Sequence, residues 1–361
     1  MSWNSVCLAS LVIDIEDPQW RFSLLNTPLG ATDAQLAPEE NGFALQIQPL
    51  LRQQAYQAIS DAFAERPLAG DSAALQQLRG QILISLKRYE EAETALLAAL
   101  DKMPDLVISH RGLSLIYMIN EDFSNARTHL RRSIELGVAD AQLYGQLAYV
   151  NLKTDFPASA IAGYQQALYL EPDNKQWQQG LLFALLNSKS LAPAQALVDE
   201  MLSAQGQNVS LWLTRSQIAL NREDYNAALS SLEIALSLGS DEVSNYVAAA
   251  QLHLKQNSYR RAVNLLTDKK LWQKEEVNTE LYDAIEQTAA YLVYQNQWNE
   301  LSRLLTSVTG QNNLPKRYRV DFNVYAAQLA MEEGKITNAR KSLEAAINQD
   351  PSHGEALLAL G

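Results

Sequence analysis

Small and apolar residues recur along most of this chain with two spacings, one within short segments and one between them. Within a segment they lie three or four residues apart, which places them on one face of a helix. Between segments the spacing is 34 residues. The pattern therefore predicts amphipathic helices in a regular repeat. The alanines that share the longer spacing are Ala58, Ala92, Ala126, Ala160, Ala194, Ala228 and Ala262.

Other positions of the repeat follow the same spacing when alanine is numbered as position 20. Position 24 is large and apolar in most repeats, whereas positions 8 and 27 are mostly small, so that helices can approach closely. Pro104 and Pro172 occupy position 32, where proline ends a helix and forces the turn into the next repeat. The residues at position 24 are Leu96, Leu130, Tyr164, Val198, Leu232 and Leu266.

This arrangement resembles the tetratricopeptide repeat family, whose 34-residue unit is a helix, a turn and a second helix. Residues 78–104 match the family pattern best. The resemblance implies an all-α fold, a right-handed superhelical solenoid of antiparallel helix pairs. We expect about eight repeats and a partial last one.

The same pattern divides the chain. We predict a degenerate first repeat at 38–72, six contiguous repeats at 73–276, and two further repeats with short insertions at 277–353. Residues 1–37 lie outside the pattern and form either a hairpin of two short strands or an irregular cap. Residues 354–361 are the start of another repeat or a terminal helix. Either the chain is a fragment of a longer protein, or this helix packs on a partner or a second copy.

The charge of the chain excludes some partners. Its net charge is −12 and its pI is about 4.9, and no dense basic run is present. We therefore expect no nucleic-acid binding and no attraction to anionic membranes. No apolar run is long enough to span a membrane, so we expect no insertion either. The lone Cys7 rules out an intramolecular disulfide. The absence of a signal peptide favours the cytoplasm, and the periplasm is the alternative if a signal was removed.

No catalytic or metal-binding motif accompanies the repeats. The four histidines, His110, His129, His253 and His353, are far apart in sequence, and none has a ligand at metal-binding spacing. We therefore expect no catalytic residue, no bound metal and no cofactor.

The resemblance also implies a binding groove. In this family the first helix of each repeat lines the concave side, through positions 2, 5, 9, 12 and 13. Here those positions are mostly uncharged and rich in amides, with aromatic residues at Tyr149 and Phe183; alternatively, the amides only keep this face solvated. The predicted peptide-binding residues are Gln81, Arg111, Gln146, Tyr149, Gln179, Phe183, Gln217, Asn221 and Gln251.

These observations favour a non-enzymatic scaffold that binds a peptide or a partner protein of unknown identity. One alternative is a bacterial cell-envelope assembly factor for pili, secretion or polysaccharide export. A second is an accessory domain of a larger protein that is truncated here, and a third is an enzyme in its own right. A homodimer through the terminal helices is a further expectation.

Overall fold

The computed structural model describes residues 34–137, 140–272, 279–309 and 314–360, and the expectation of a hairpin or cap over residues 1–33 lies outside these ranges. Within them the chain is helical and has no β-strand, which confirms the all-α prediction. The described residues divide into two compact units, 34–197 and 198–360.

The first compact unit consists of consecutive helices joined by short turns. Two 3₁₀ turns, Pro38–Glu40 and Leu68–Gly70, precede and follow its first helix pair. The helices are α1 (Asn41–Arg52), α2 (Tyr56–Ala64), α3 (Ala73–Ser85), α4 (Tyr89–Lys102), α5 (Val107–Ile119), α6 (Phe123–Glu135), α7 (Ala141–Lys153), α8 (Pro157–Leu170) and α9 (Lys175–Asn187), and α10 (Leu191–Ala204) runs across its boundary.

The second compact unit continues the pattern, with a 3₁₀ turn at Lys269–Trp272. Its last helix packs against the one before it. The helices are α11 (Val209–Asn221), α12 (Tyr225–Ser237), α13 (Val243–Lys255), α14 (Tyr259–Leu266), α15 (Thr279–Tyr294), α16 (Trp298–Thr309), α17 (Lys316–Glu332), α18 (Ile336–Gln349) and α19 (Gly354–Leu360).

The predicted 34-residue spacing is present in the helices themselves. From α3 to α14, each helix begins 34 residues after the corresponding helix of the preceding pair. Several of these helices begin after a residue whose side chain accepts a hydrogen bond from the first turn, such as Ser72, Asp122 and Asn174. The alanine at position 20 is fully buried from Ala92 through Ala262. Helix capping and alanine burial together account for the regular spacing.

Ala58 departs from this pattern. Helix α2 begins at Tyr56, one residue later than the 34-residue spacing requires, and Ala58 is exposed. Ile59 and Phe63 face the core of this first pair instead. The interpretation of Ala58 as the packing alanine of a first repeat is therefore wrong, because the helix is rotated by one residue relative to its successors.

Position 24 is the centre of packing between neighbouring repeats. Leu96 is fully buried, and a methyl group added to Gly80 or Gly112 would lie 2.5 Å or 2.7 Å from its side chain. Tyr164, the larger residue at the same position, fits because Gly180 faces it. The second helix of one repeat thus packs against its own first helix and against the first helix of the next.

The turn within each hairpin contains one residue with positive φ, usually not glycine. Lys87 is an example, with φ of 59°, and its N–H donates to the carbonyl of Ile84 over 2.9 Å. This left-handed conformation strains a residue that carries a Cβ atom. The residues concerned are Gln54, Lys87, Glu121, Asp155, Lys189, Glu223, Asn257, Asn296 and Gly334.

We expect Lys87→Gly to raise the free energy of unfolding of the first compact unit by about 0.5 kcal/mol, because glycine adopts this conformation without steric cost. Thr94→Gly in the exposed middle of α4 is the matched control and should lower it. Urea unfolding followed by circular dichroism measures both variants. A destabilised Lys87→Gly variant would contradict this view of the turn.

Candidate partner-binding surface

In the first compact unit α3 contacts α5, and α7 contacts α9. The side of the first helices that carries positions 2, 5, 9, 12 and 13 is called the inner face. In the first compact unit, the Ser109 hydroxyl on α5 donates to the Gln77 side-chain oxygen on α3 over 3.3 Å. Arg111 on α5 pairs with Asp140, the N-cap of α7, at 2.7 Å. These contacts join each first helix to the next repeat.

Helices α7 and α9 approach each other closely. A Cβ atom on Gly145 would lie 2.4 Å from the Trp177 ring, so only glycine allows this contact. The approach brings position 9 of both helices, Tyr149 and Phe183, onto neighbouring parts of the same face, and both side chains are half-buried. The Lys153 ammonium group lies 5.3 Å from the centre of the Tyr149 ring.

Accessibility differs among the predicted peptide-binding residues. Gln179 and Asn221 are exposed, and Gln217 and Gln251 are half-buried. Arg111 is half-buried and already paired with Asp140, so a ligand would have to compete with this ion pair.

Two predicted residues do not offer their amides to a partner in this structure. Gln146 is only 3% exposed, and Gln81 is buried as well. Gln146 occupies position 6, which packs on the preceding repeat, as Gly112 and Gly180 do at the same position. These two residues are therefore corrected to interior positions, and the accessible set is smaller than the predicted one.

The inner face of the second compact unit becomes acidic towards its end. The last repeats are counted from Tyr282, Val320 and Gly354. Asp283 and Glu286 then occupy positions 2 and 5 of the first, and Asp321 and Glu355 occupy position 2 of the other two. Burial, followed by the nearby carboxylate of Asp321, raises the pKa of Glu286. Sequence reasoning missed these residues because the inner-face comparison stopped at the sixth contiguous repeat. Extending the same numbering across the two insertions would have found them.

Sequence reasoning also missed a histidine pair. His110 on α5 and His129 on α6 are 19 residues apart, yet their Nδ1 atoms lie 2.8 Å apart because the two helices form one hairpin. The Nε2–H of His110 donates to the Pro104 carbonyl over 2.9 Å, so Nδ1 of neutral His110 accepts from His129. Burial lowers the pKa of both rings. Burial first, and the neighbouring His110 second, together lower the pKa of His129 to about 4.

Acidification is expected to destabilise this hairpin. Because the folded-state pKa of each histidine lies below its ordinary value, the unfolded chain takes up protons first, and stability declines as pH falls from about 6.5 towards 4. His129 contributes about 1 to 2 kcal/mol of this loss, after allowance for its partial exposure. Unfolding of the wild type and His129→Asn at a series of pH values isolates the effect. Parallel stability curves for the two proteins would contradict it.

In the described ranges, no three histidine, cysteine or acidic side chains converge in a way that could hold a metal ion. None of the described helices has the length and apolar character needed to cross a bilayer.

Sequence comparison identifies one family. A profile described as "Tetratricopeptide repeat" matches residues 78–141 and 326–361. General transcription factor 3C polypeptide 3 from Homo sapiens is 25% identical over 214 residues, covering 56% of this chain and 24% of that protein. The chain thus spans about a quarter of the length of this curated relative.

Solved structures that resemble the chain include YrrB, described as a TPR protein with an unusual peptide-binding site (TM-score 0.47, 18% identity, covering 56% of this chain and 99% of that one). Naa15/Naa10 bound to HypK-THB gives a TM-score of 0.48 at 13% identity and covers 88% of this chain and 64% of that one. The type IV pilus biogenesis factor PilW gives 0.41 at 13% identity and covers 59% of this chain and 98% of that one.

Repeats of this kind form protein–protein interaction scaffolds and generally have no catalytic role. Corresponding helices of successive pairs begin at 34-residue intervals from α3 to α14. The family profile matches the chain from within α3 to the first residue of α7, and again at residues 326–361. Residues 78–141 and 326–361 are thus similar to the tetratricopeptide repeat family.

Proposed function

We propose that this protein is a non-enzymatic scaffold that holds a peptide segment of a partner protein on its inner face, mainly across α7 and α9. The observation that carries the proposal is the pair of half-buried aromatic residues, Tyr149 and Phe183, at the same position of two touching helices. Aromatic side chains in partly covered sites are the usual anchors of protein interfaces.

The surrounding groups suit a peptide main chain. Gln179, on the same helix as Phe183, is exposed, and its amide can both donate and accept a hydrogen bond. An extended segment presents alternating N–H and C=O groups, which such an amide can satisfy. An apolar side chain of the segment would then lie against Tyr149 and Phe183, and this contact would supply most of the affinity.

The rigidity of the surface favours the same function. Gly145 and Trp177 hold α7 and α9 together before any partner arrives. A preformed surface loses little conformational entropy on binding, so a modest contact area can still give useful affinity.

Photo-crosslinking in the source cell tests this proposal. A photoreactive phenylalanine derivative is placed at Gln179 or, as a matched control, at Gln165, an exposed glutamine of α8 outside the inner face. We expect one partner protein to be crosslinked from position 179 and not from position 165. Equal crosslinking from both positions, or none from position 179, would contradict the proposal.

A further inference from the structure

A second surface of the first compact unit has the features of a binding site. Helices α6, α7 and α8 line an open cleft of about 660 Å³, which we call the α6–α8 cleft. That volume falls within the range of ligand pockets. The cleft lies away from the inner face, because Leu147 and Asn151 occupy positions 7 and 11 of α7, on the opposite side of the helix from position 9.

Two polar groups at this cleft lack partners in the part of the chain that the structure describes. Asn151 is only 5% exposed, and its Oδ1 atom accepts no hydrogen bond. The Nε–H of Arg127 has no acceptor. Buried polar groups without partners are costly, and each is a place where a ligand can supply the missing interaction.

The guanidinium group of Arg127 is oriented by stacking. Its central carbon lies 4.1 Å from the centre of the Phe156 ring. The Nε–H on the edge of the guanidinium group is buried and has no acceptor, so a carboxylate reaches this edge when the side chain rotates. This edge is the geometry that binds a carboxylate through two hydrogen bonds.

The α6–α8 cleft has a small local excess of positive charge, because Arg127 and Arg131 line it together with the single carboxylate of Glu135. Arg127 makes no ion pair with any described residue, and Arg131 has only a loose contact of 3.9 Å with Glu135 in which both side chains are more than half exposed. The floor is apolar, formed in part by Ile134, Leu147 and Ala162. Positive groups beside an apolar floor favour a ligand that carries a carboxylate next to an aliphatic group.

We propose that the α6–α8 cleft binds an acidic peptide segment in which a glutamate or aspartate adjoins an aliphatic residue. The carboxylate bonds to Arg127 and Arg131, and the aliphatic side chain packs on Leu147 and Ala162. A main-chain N–H of the segment donates to Asn151, whose amide turns its oxygen outward. The net charge of −12 repels a polyanion such as a nucleic acid. A short segment with a carboxylate is instead attracted by the arginines nearest to it.

An NMR titration of the full chain tests this proposal. The probe is the peptide acetyl-Ala-Glu-Leu-Glu-Ala-amide, and its control is the peptide with glutamine in place of both glutamates. We expect the acidic peptide to shift the signals of α6, α7 and α8 in a saturable way, and to bind about tenfold more tightly than the control. Equal binding of the two peptides would overturn the proposal.

Variants of the chain separate the cleft from other surfaces. Arg127→Gln removes the donor pair, and Ala162→Glu adds a repelling carboxylate at an exposed position of the cleft. We expect each variant to bind the acidic peptide about tenfold more weakly than the wild type. Gln165→Glu adds the same charge on α8 outside the cleft and should leave the affinity unchanged. If Ala162→Glu binds the acidic peptide as tightly as the wild type does, the proposal is overturned. It is also overturned if inorganic phosphate at the same concentration as the peptide displaces the peptide.

Discussion

Replacement of Leu96 by alanine is expected to lower the free energy of unfolding of the first compact unit by about 2 to 5 kcal/mol. Leu96 is fully buried at position 24, where it contacts Gly80 on its own hairpin and Gly112 on the next. Neither glycine has a side chain that could move into the space, so the cavity stays open. The loss should therefore lie in the upper part of this range.

The adjacent residue provides the control. Leu97 follows Leu96 on the same helix but is 43% exposed, so Leu97→Ala removes a similar number of atoms with a small effect on stability. Urea unfolding of the three proteins, followed by circular dichroism, measures the difference. Similar losses in the two variants would mean that position 24 is not the centre of packing between repeats.

Removal of both aromatic residues from the inner face is expected to weaken the complex with the partner about 100-fold. The double variant Tyr149→Ala with Phe183→Ala deletes the two anchors, and an anchor residue typically accounts for about 2 kcal/mol or more of binding energy. Both side chains are half-buried, so part of their surface is available to the partner in the free protein.

The matched control is Tyr169→Ala, which removes an aromatic ring that is 79% exposed on α8. Titration calorimetry with the crosslinked partner, after its identification, gives the dissociation constants. Thermal unfolding of each variant shows whether it remains folded. If Tyr169→Ala weakens binding as much as the folded double variant does, the partner does not depend on the inner face.

The fold could be predicted from local chemistry because each repeat uses the same few contacts. The residue at position 20 must be small so that two helices can touch. The 34-residue spacing of alanines therefore reveals where each helix pair lies in the sequence. Ala58 shows where this reasoning fails. An alanine can fall on the spacing by chance, and only the neighbouring Ile59 and Phe63 reveal which residues face the core.

The surface was predicted less completely, because it depends on contacts between distant residues. Position number alone could not show that Arg111 is held by Asp140, or that Gln146 is covered by the preceding repeat. The contact between His110 and His129 depends on the hairpin that joins α5 to α6, which the distance of 19 residues conceals. The α6–α8 cleft was missed for the same reason, since its walls come from three helices.

Hydrogen exchange of the chain, alone and in complex with the crosslinked partner, tests the central claim of a binding scaffold most directly. We predict that the partner slows exchange in α7 and α9, where Tyr149 and Phe183 lie, and leaves α2 and α4 unchanged. Protection confined to helices that carry neither residue, with none in α7 and α9, would contradict binding on the inner face.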